Sequence, residues 1–252
     1  MISHQYNPLE SLRVMGNAPQ DALGPSIEVL LWNVFKCKKS GWHEDFVSLI
    51  KHKDVVLLQE AVLNSRFDFQ FTRSREHQWI MARSFKNMRD NVENGIKTGC
   101  RVAAIEHTFA ASAHSEPITK TKKMSLACLY PIANSHQQLL VVNAHLINFV
   151  SIDKFMSHLK GVFEVLNAHR GPVIMAGDFN TWNRQRLKYL QSLATAFALN
   201  EVEITRRPRM HHLFQHLDHI YCRGLRTNHV HVHTNIHTSD HFPVSLSVTP
   251  IV

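Results

Sequence analysis

Residues 173–180 read V-I-M-A-G-D-F-N. Four apolar residues without alternation, then a glycine, then an acid and an amide, form the pattern of a strand buried on both faces that ends in a polar loop. Such a strand needs cover on both sides, which points to an α/β protein. Three further runs repeat the pattern: Val29 to Trp32, Val55 to Leu58 and Leu139 to Val142. Each also runs into polar residues, Asn33 after the first, Gln59-Glu60 after the second, Asn143 and His145 at the third. In open α/β sheets ligands gather outside strand ends, and Asp178 and Asn180 close the fourth run in the same way. Two later segments, Leu217-Asp218-His219-Ile220 and Ser239-Asp240-His241, add the same residue types.

Between these runs the apolar spacing turns helical. Trp42, Phe46, Leu49 and Ile50 predict one helix. Ile152, Phe155, Leu159, Val162, Phe163 and Leu166 predict a second, stopped by Gly171-Pro172, and Leu187, Leu190, Ala194 and Phe197 a third. The stretch from Gln78 to Pro131 offers only strand-like pieces, Trp79 to Ala82, Cys100 to Ile105 and Ser125 to Tyr130. The last third repeats that texture in His216 to Cys222, His229 to Thr234 and Val244 to Val248. Mixed sheets with helices outside them are expected. Residues 1–25, ending in Gly24-Pro25, read as a loose extension, and residues 26–252 as a single domain.

The 252 residues are 44% apolar and 19% charged, a balance that excludes a disordered chain. No apolar run approaches the roughly 20 residues that span a bilayer, and the opening MISHQYNPLESLRV lacks the apolar core of a signal peptide, which argues against export. Cys37, Cys100, Cys128 and Cys222 are far apart and form no C-x-x-C pair, so reduced thiols in a cytoplasm are expected. Lys and Arg outnumber Asp and Glu by 28 to 20, a formal charge of +8. The partner should be anionic: nucleic acid, acidic lipid headgroups or phosphorylated metabolites.

The carboxylates and amides at the strand ends are suited to a hard divalent cation, Mg²⁺ or Mn²⁺, whereas zinc would ask for more imidazole or thiolate. Imidazoles among these residues would supply proton transfer or stabilise charge on a pentacoordinate phosphorus.

Taken in order, L-L-W-N-V (30–34), L-L-Q-E (57–60), V-V-N-A-H-L (141–146), G-D-F-N (177–180), L-D-H-I (217–220) and S-D-H-F-P-V (239–244) resemble the endonuclease/exonuclease/phosphatase superfamily, which includes deoxyribonuclease I, neutral sphingomyelinases and inositol polyphosphate 5-phosphatases. The resemblance covers residues 27 to 249 and implies a four-layer α/β sandwich, with two central mixed sheets, helices on both outer faces and the site at one end of the sheets. It makes residues 26–252 the catalytic domain. Carried over, it implies Glu60 as the principal metal ligand, with Asn33 and Asp240 completing the shell. Asp178 and Asn180 would orient the attacking water and the scissile phosphate. His241, held by Asp218, would be one catalytic imidazole and His145 the other. His145 in N-x-H-L resembles the deoxyribonuclease I and sphingomyelinase branches more than the abasic-site endonucleases. Asn94 to Gly99 resembles the loop that reaches the phosphate, which makes Thr98 a candidate substrate contact. The carboxylate that orients the first imidazole in deoxyribonuclease I has no evident counterpart.

Other features are weighed against plainer readings. His229-Val230-His231-Val232-His233 would put three imidazoles on one strand face, and with no acid or thiol nearby to complete a tetrahedral set, a half-buried strand showing them to solvent is the favoured reading. Basic clusters at Lys36 to Lys39, Lys120 to Lys123 and Arg184 to Lys188 read as solvated faces. Arg206, Arg207 and Arg209 precede the strand of Asp218 and are read as the substrate-binding rim. The expected activity is divalent-metal-dependent hydrolysis of phosphodiesters in nucleic acid. A phospholipid or inositol-phosphate hydrolase is the alternative, which exposed apolar loops beside the site would favour.

Overall fold

The computed structural model describes residues 3–65, 68–204 and 217–251. In chain order its strands and helices begin with β1 (Ser3–Gln5), β2 (Leu12–Met15) and β3 (Ile27–Asn33). After a single 3-10 turn come α1 (Trp42–Ile50), β4 (Val55–Leu63), α2 (Asp68–Thr72), β5 (Gln78–Asn87) and β6 (Val92–Cys100). The middle holds β7 (Glu106–Ala111), β8 (Met124–Pro131), β9 (Gln138–His145), α3 (Ile152–Glu164) and β10 (Val173–Asp178). The last third holds α4 (Arg184–Ala196), β11 (Asn200–Glu201), β12 (Asp218–Arg223), β13 (Leu225–Val232) and β14 (Val244–Pro250).

The strands form two mixed sheets. One runs β1-β5-β6-β4-β3-β14-β13 with β2 also on β5, and the other runs β11-β12-β10-β9-β8-β7. Among the described strands, only β3 with β4 and β9 with β10 pair in parallel. These are the four continuously apolar runs, buried on both faces because each sheet is covered on both. Leu31, Leu57, Ile96, Val141, Ile174 and Leu246 meet between the sheets. Outside the second sheet, α3 and α4 pack Phe155, Leu159, Phe163 and Leu190 against it. Outside the first, Trp32, Trp42, Phe46, Phe71 and Trp79 form an aromatic layer under α1 and α2, with Trp42 and Phe46 stacked at 4.8 Å. Each such ring withdrawn from water contributes roughly 1.5–3 kcal/mol. The result is the four-layer α/β sandwich with helices on both outer faces.

Parallel pairing also aligns the polar strand ends. Asn33 lies beside Gln59, and Asp178 lies beside His145 on one side and Asp218 on the other. Gly177 is what lets β10 come so close to β9, since a Cβ there would run into the Ala144 carbonyl.

Two buried amides, Gln59 and Asn143, join the sheets. Gln59 Nε2 donates to Asn143 Oδ1 at 2.7 Å, and Asn143 Nδ2 donates to the Lys97 carbonyl at 2.9 Å. Both are wholly buried, so they clamp β4 and β6 to β9.

Several expectations are corrected. Residues 1–25 are not loose where the structure describes them: β2 pairs with β5 from Leu12 opposite Ala82 to Met15 opposite Trp79, β1 adds to the same strand, and Leu23 is fully buried. Strands of three and four residues are too short to carry a readable alternation. Cys100 ends β6 instead of starting a strand, and the true strand, V-E-N-G-I-K-T-G-C, is interrupted by polar residues and glycines that hide its period. The histidine run belongs to β13, where His229 takes a left-handed backbone at a bulge. His229 and His231 are exposed, while His233 bonds Ser245 Oγ at 2.7 Å.

Candidate active site

A cavity of about 310 Å³ opens at the end of the sheets where the polar strand ends meet. Asn33, Glu60, His145, Asp178, Asn180, Asp240 and His241 all line it. At its centre is Asp178, which β10 delivers at its last position. Asn33 Nδ2 donates to Asp178 Oδ2 at 3.0 Å, and the Asn180 amide donates to Asp178 Oδ1 at 3.0 Å, so each oxygen is aimed by one donor. Asn180 also donates its Nδ2 to the Leu146 carbonyl at 2.8 Å, tying the β10 end to the segment after His145. Two imidazoles flank the same carboxylate oxygen, His145 Nε2 at 3.5 Å and His241 Nε2 at 3.9 Å.

His241 is held on three sides. Its Nδ1 lies 2.8 Å from Asp218 Oδ2, its carbonyl accepts the Trp32 indole N–H at 3.1 Å, and its amide donates to Ser239 Oγ at 3.3 Å. Ser239 Oγ donates in turn to the Asn33 carbonyl at 2.6 Å. The S-D-H triplet is thereby pinned to the end of β3.

The two imidazoles differ in charge. Burial works against a charged His241, but the Asp218 carboxylate, with Asp178 and Asp240 behind it, outweighs burial and raises the imidazole to about 10. His145 is driven the other way, well below the usual histidine range, by burial and then by Lys123 and His241. At neutral pH His241 is therefore an imidazolium and His145 a neutral ring. Burial raises the Asp178 carboxyl to about 6, against the pull of His241.

Glu60 sits at a β-bulge, where the register of β4 against β6 slips between Leu58 and Ala61. Its backbone is left-handed, φ 48°, which turns the side chain out of the strand's alternation and into the cavity. Its carboxylate makes no hydrogen bond or ion pair with the described residues. Asn33 and Asp240 present further oxygens on the same cavity. An unsatisfied carboxylate among oxygen donors fits a hard divalent cation such as Mg²⁺ or Mn²⁺. Asp178, Asp218 and His241 also each place a ligand atom within 4.8 Å of the others, with His241 Nδ1 engaged by Asp218 and Nε2 turned toward Asp178.

Thr98 does not reach the cavity. It pairs with Leu57 in mid-strand, wholly buried, and meets Asn143 Nδ2 at 3.4 Å. The end of β6 lines the cavity instead, through Asn94, Gly95 and Ile96. Arg206, Arg207 and Arg209 lie outside the described residues. Among the described residues, the basic side chains at the cavity are Lys36, Lys122 and Lys123, from two clusters that composition alone assigns to solvated faces. Their proximity in sequence to Asn33 and to the start of β8 was the available signal.

The loop scaffold beside the site was not legible in sequence. Glu116 lines the cavity, and its Oε1 accepts the Asn148 amide at 3.0 Å. Asn148 Oδ1 accepts the Trp182 indole N–H at 2.8 Å and the Phe149 amide at 2.8 Å. Arg186, buried and facing Phe155 at 4.5 Å, donates to the carbonyls of Asn180 at 3.1 Å and Val150 at 2.9 Å. These bonds join the loop between β7 and β8, which carries Glu116, to the loops after β9 and after β10 around one mouth.

Comparison with known proteins identifies the family and agrees with the fold. The chain belongs to the Endonuclease/Exonuclease/phosphatase family, whose profile matches residues 30–241. Members of that family are metal-dependent hydrolases, phosphodiesterases and phosphatases among them. A UPF0294 protein of Yersinia enterocolitica is 30% identical over 226 residues, 89% of this chain and 84% of the relative. Among solved structures, an endonuclease/exonuclease/phosphatase from Beutenbergia cavernae superposes with a TM-score of 0.72 at 16% identity, covering 90% of this chain and 72% of its own. The human Nocturnin catalytic domain, solved with a sulfate anion, superposes with a TM-score of 0.64 at 17% identity over 97% of this chain and all of its own. At those identities the structures speak to fold alone.

Proposed function

We propose that this chain hydrolyses phosphodiester bonds in nucleic acid. The observation that carries the reading is Asp178, aimed by two donors and flanked by one charged and one neutral imidazole, in a cavity bordered by Lys36, Lys122 and Lys123. Glu60, Asn33 and Asp240 would hold a Mg²⁺ or Mn²⁺ ion, which when bound neutralises charge on a phosphate oxygen. Asp178 accepts the proton of the attacking water, its carboxyl near 6 being matched to neutral pH. Asn180 orients the phosphate. The His241 imidazolium, steadied by Asp218, offers positive charge to the crowded phosphorus and gives its Nε2 proton to the leaving oxygen, the proton that Asp178 took from water then restoring it, while the neutral His145 hydrogen-bonds a non-bridging oxygen without changing charge. The net charge of +8 favours a polyanionic substrate, and the free cysteines suit a cytoplasmic place.

A second reading has its own observation. Phe149, which lines the cavity, is 63% exposed, and Ile118 at 78% and Trp182 at 52% lie on loops whose nearby residues Thr119 and Asn180 line it. Apolar side chains at a site's rim suit a phospholipid headgroup drawn from a membrane. No helix among the described residues is long and apolar enough to cross one. The discriminating assay offers purified protein DNA, RNA, sphingomyelin vesicles and inositol phosphates, with and without Mg²⁺. Metal-dependent cleavage of DNA or RNA supports the nucleic-acid reading. Cleavage confined to lipid or inositol phosphate replaces it.

A further inference from the structure

Phe149 is held in water by strain and by a hydrogen-bond network. Its backbone is left-handed, φ 53°, a conformation that an aromatic residue adopts only when its surroundings impose it. The imposing contacts are visible: the Phe149 amide donates to Asn148 Oδ1, the same oxygen that accepts the Trp182 indole, while the Asn148 amide is fixed by the Glu116 carboxylate. Glu116 is itself nearly closed to solvent, with Thr119 Oγ1 donating to its Oε2 at 3.0 Å and Lys123 Nζ 3.5 Å from its Oε1. A loop free to relax would fold a phenyl ring inward to bury it. Here the ring is kept on the cavity wall, still 63% exposed.

The same cavity is also lined by Phe35, another left-handed residue at φ 47°, with Lys38 Nζ 5.0 Å from its ring centre. Lys36, Lys122 and Lys123 border the space with them. Aromatic faces interleaved with ammonium groups are the combination that binds single-stranded nucleic acid, with bases on the rings and phosphates on the lysines. A duplex offers no free base faces. Both rings line the cavity beside its lysines, which places base faces and phosphates within one cleft.

Resting on the nucleic-acid reading above, we infer that Phe149 is a specificity-determining stacking platform that selects an unpaired base next to the scissile phosphate, so that the enzyme prefers single-stranded segments or frayed ends to blunt duplex.

The test uses the full chain in chelator, so that strands stay intact, and three probes: a short single-stranded DNA carrying 2-aminopurine, the same sequence as a blunt duplex, and phosphatidylserine vesicles. The parent protein should quench 2-aminopurine on binding and hold the single strand about tenfold tighter than the duplex. Phe149→Ala should lose the quench and weaken the single strand about tenfold, whereas Phe149→Trp should retain both. An unchanged melting temperature shows that the alanine variant is folded, as substitution of an exposed ring allows. Single-strand affinity and quenching that survive in Phe149→Ala overturn the inference. Vesicle binding that Phe149→Ala or Ile118→Ala abolishes, without oligonucleotide binding, overturns it in favour of a lipid surface. A parallel cleavage assay with Mg²⁺ separates the two levels: DNA or RNA cut equally by parent and Phe149→Ala, with no strand preference, rejects the stacking role alone, and no cleavage of either polymer rejects the nucleic-acid reading itself.

Discussion

Nδ1 of His241 lies 2.8 Å from Oδ2 of Asp218, and neither side chain is more than 6% exposed. A buried pair of this kind acts as a unit: the carboxylate sets which ring nitrogen faces the cavity and keeps the ring charged. Removal of either partner therefore disables the same function. His241→Ala and Asp218→Asn should each lower kcat on a phosphodiester about 10²- to 10⁴-fold, and the double variant should fall little further than the worse single one. Rate losses that multiply in the double variant would show that the two act separately.

Glu60 owes its position to a bulge and contributes little to the core. Glu60→Gln should leave the free energy of unfolding in urea within about 0.5 kcal/mol of the parent. It should weaken activation by Mg²⁺ or Mn²⁺ by at least about tenfold, read as a shift in the metal titration of activity and of calorimetric binding. Full activity of either protein in excess chelator would remove Glu60 from the metal's shell.

Asn143 carries the opposite expectation. Its amide joins the two sheets, so Asn143→Ala strands Gln59 Nε2 and the Lys97 carbonyl in a dry interior. Each orphaned group costs about 1–3 kcal/mol. Chemical denaturation should show a loss of about 3 kcal/mol, and a loss below 1 kcal/mol would contradict the clamp.

His158 of α3 accepts the Ile147 amide on Nδ1 at 3.1 Å, close behind the site. Burial, helped by Lys123, lowers its imidazole to about 3. Because the unfolded ring titrates near 6.5, the neutral folded form contributes stability that is complete above that pH and lost as pH falls from about 6.5 toward 3. His158→Gln keeps an acceptor but cannot titrate. Its stability at pH 7 should be somewhat lower, and its decline between pH 6.5 and 4.5 shallower than the parent's by up to about 1.4 kcal/mol per pH unit. Parallel declines in urea midpoints would refute the assignment.

Much of this protein is written locally. Unbroken apolar runs such as Val173 to Ala176 can only be strands covered on both faces, and the acid or amide that follows each must lie at a sheet end, because a charge inside the run could not be buried. Helical spacing at Ile152 to Leu166 works in the same way. So the buried strands and the polar residues at their ends, Glu60, His145, Asp178 and His241 among them, are readable before any coordinate, while the sandwich follows from the resemblance that the ordered motifs carry. What tertiary structure decided is which polar residues face the cavity. Gln59 adjoins Glu60 in sequence, yet one locks the sheets together and the other lines the cleft, because a bulge turns a single residue and no periodicity records it. Thr98 and Asn94 share one strand, and only the strand's length separates an inter-sheet position from a cavity wall. Lys122, Lys123 and Phe149 acquire their meaning from loops that meet through Asn148 across 32 residues of chain, a contact that no local pattern encodes.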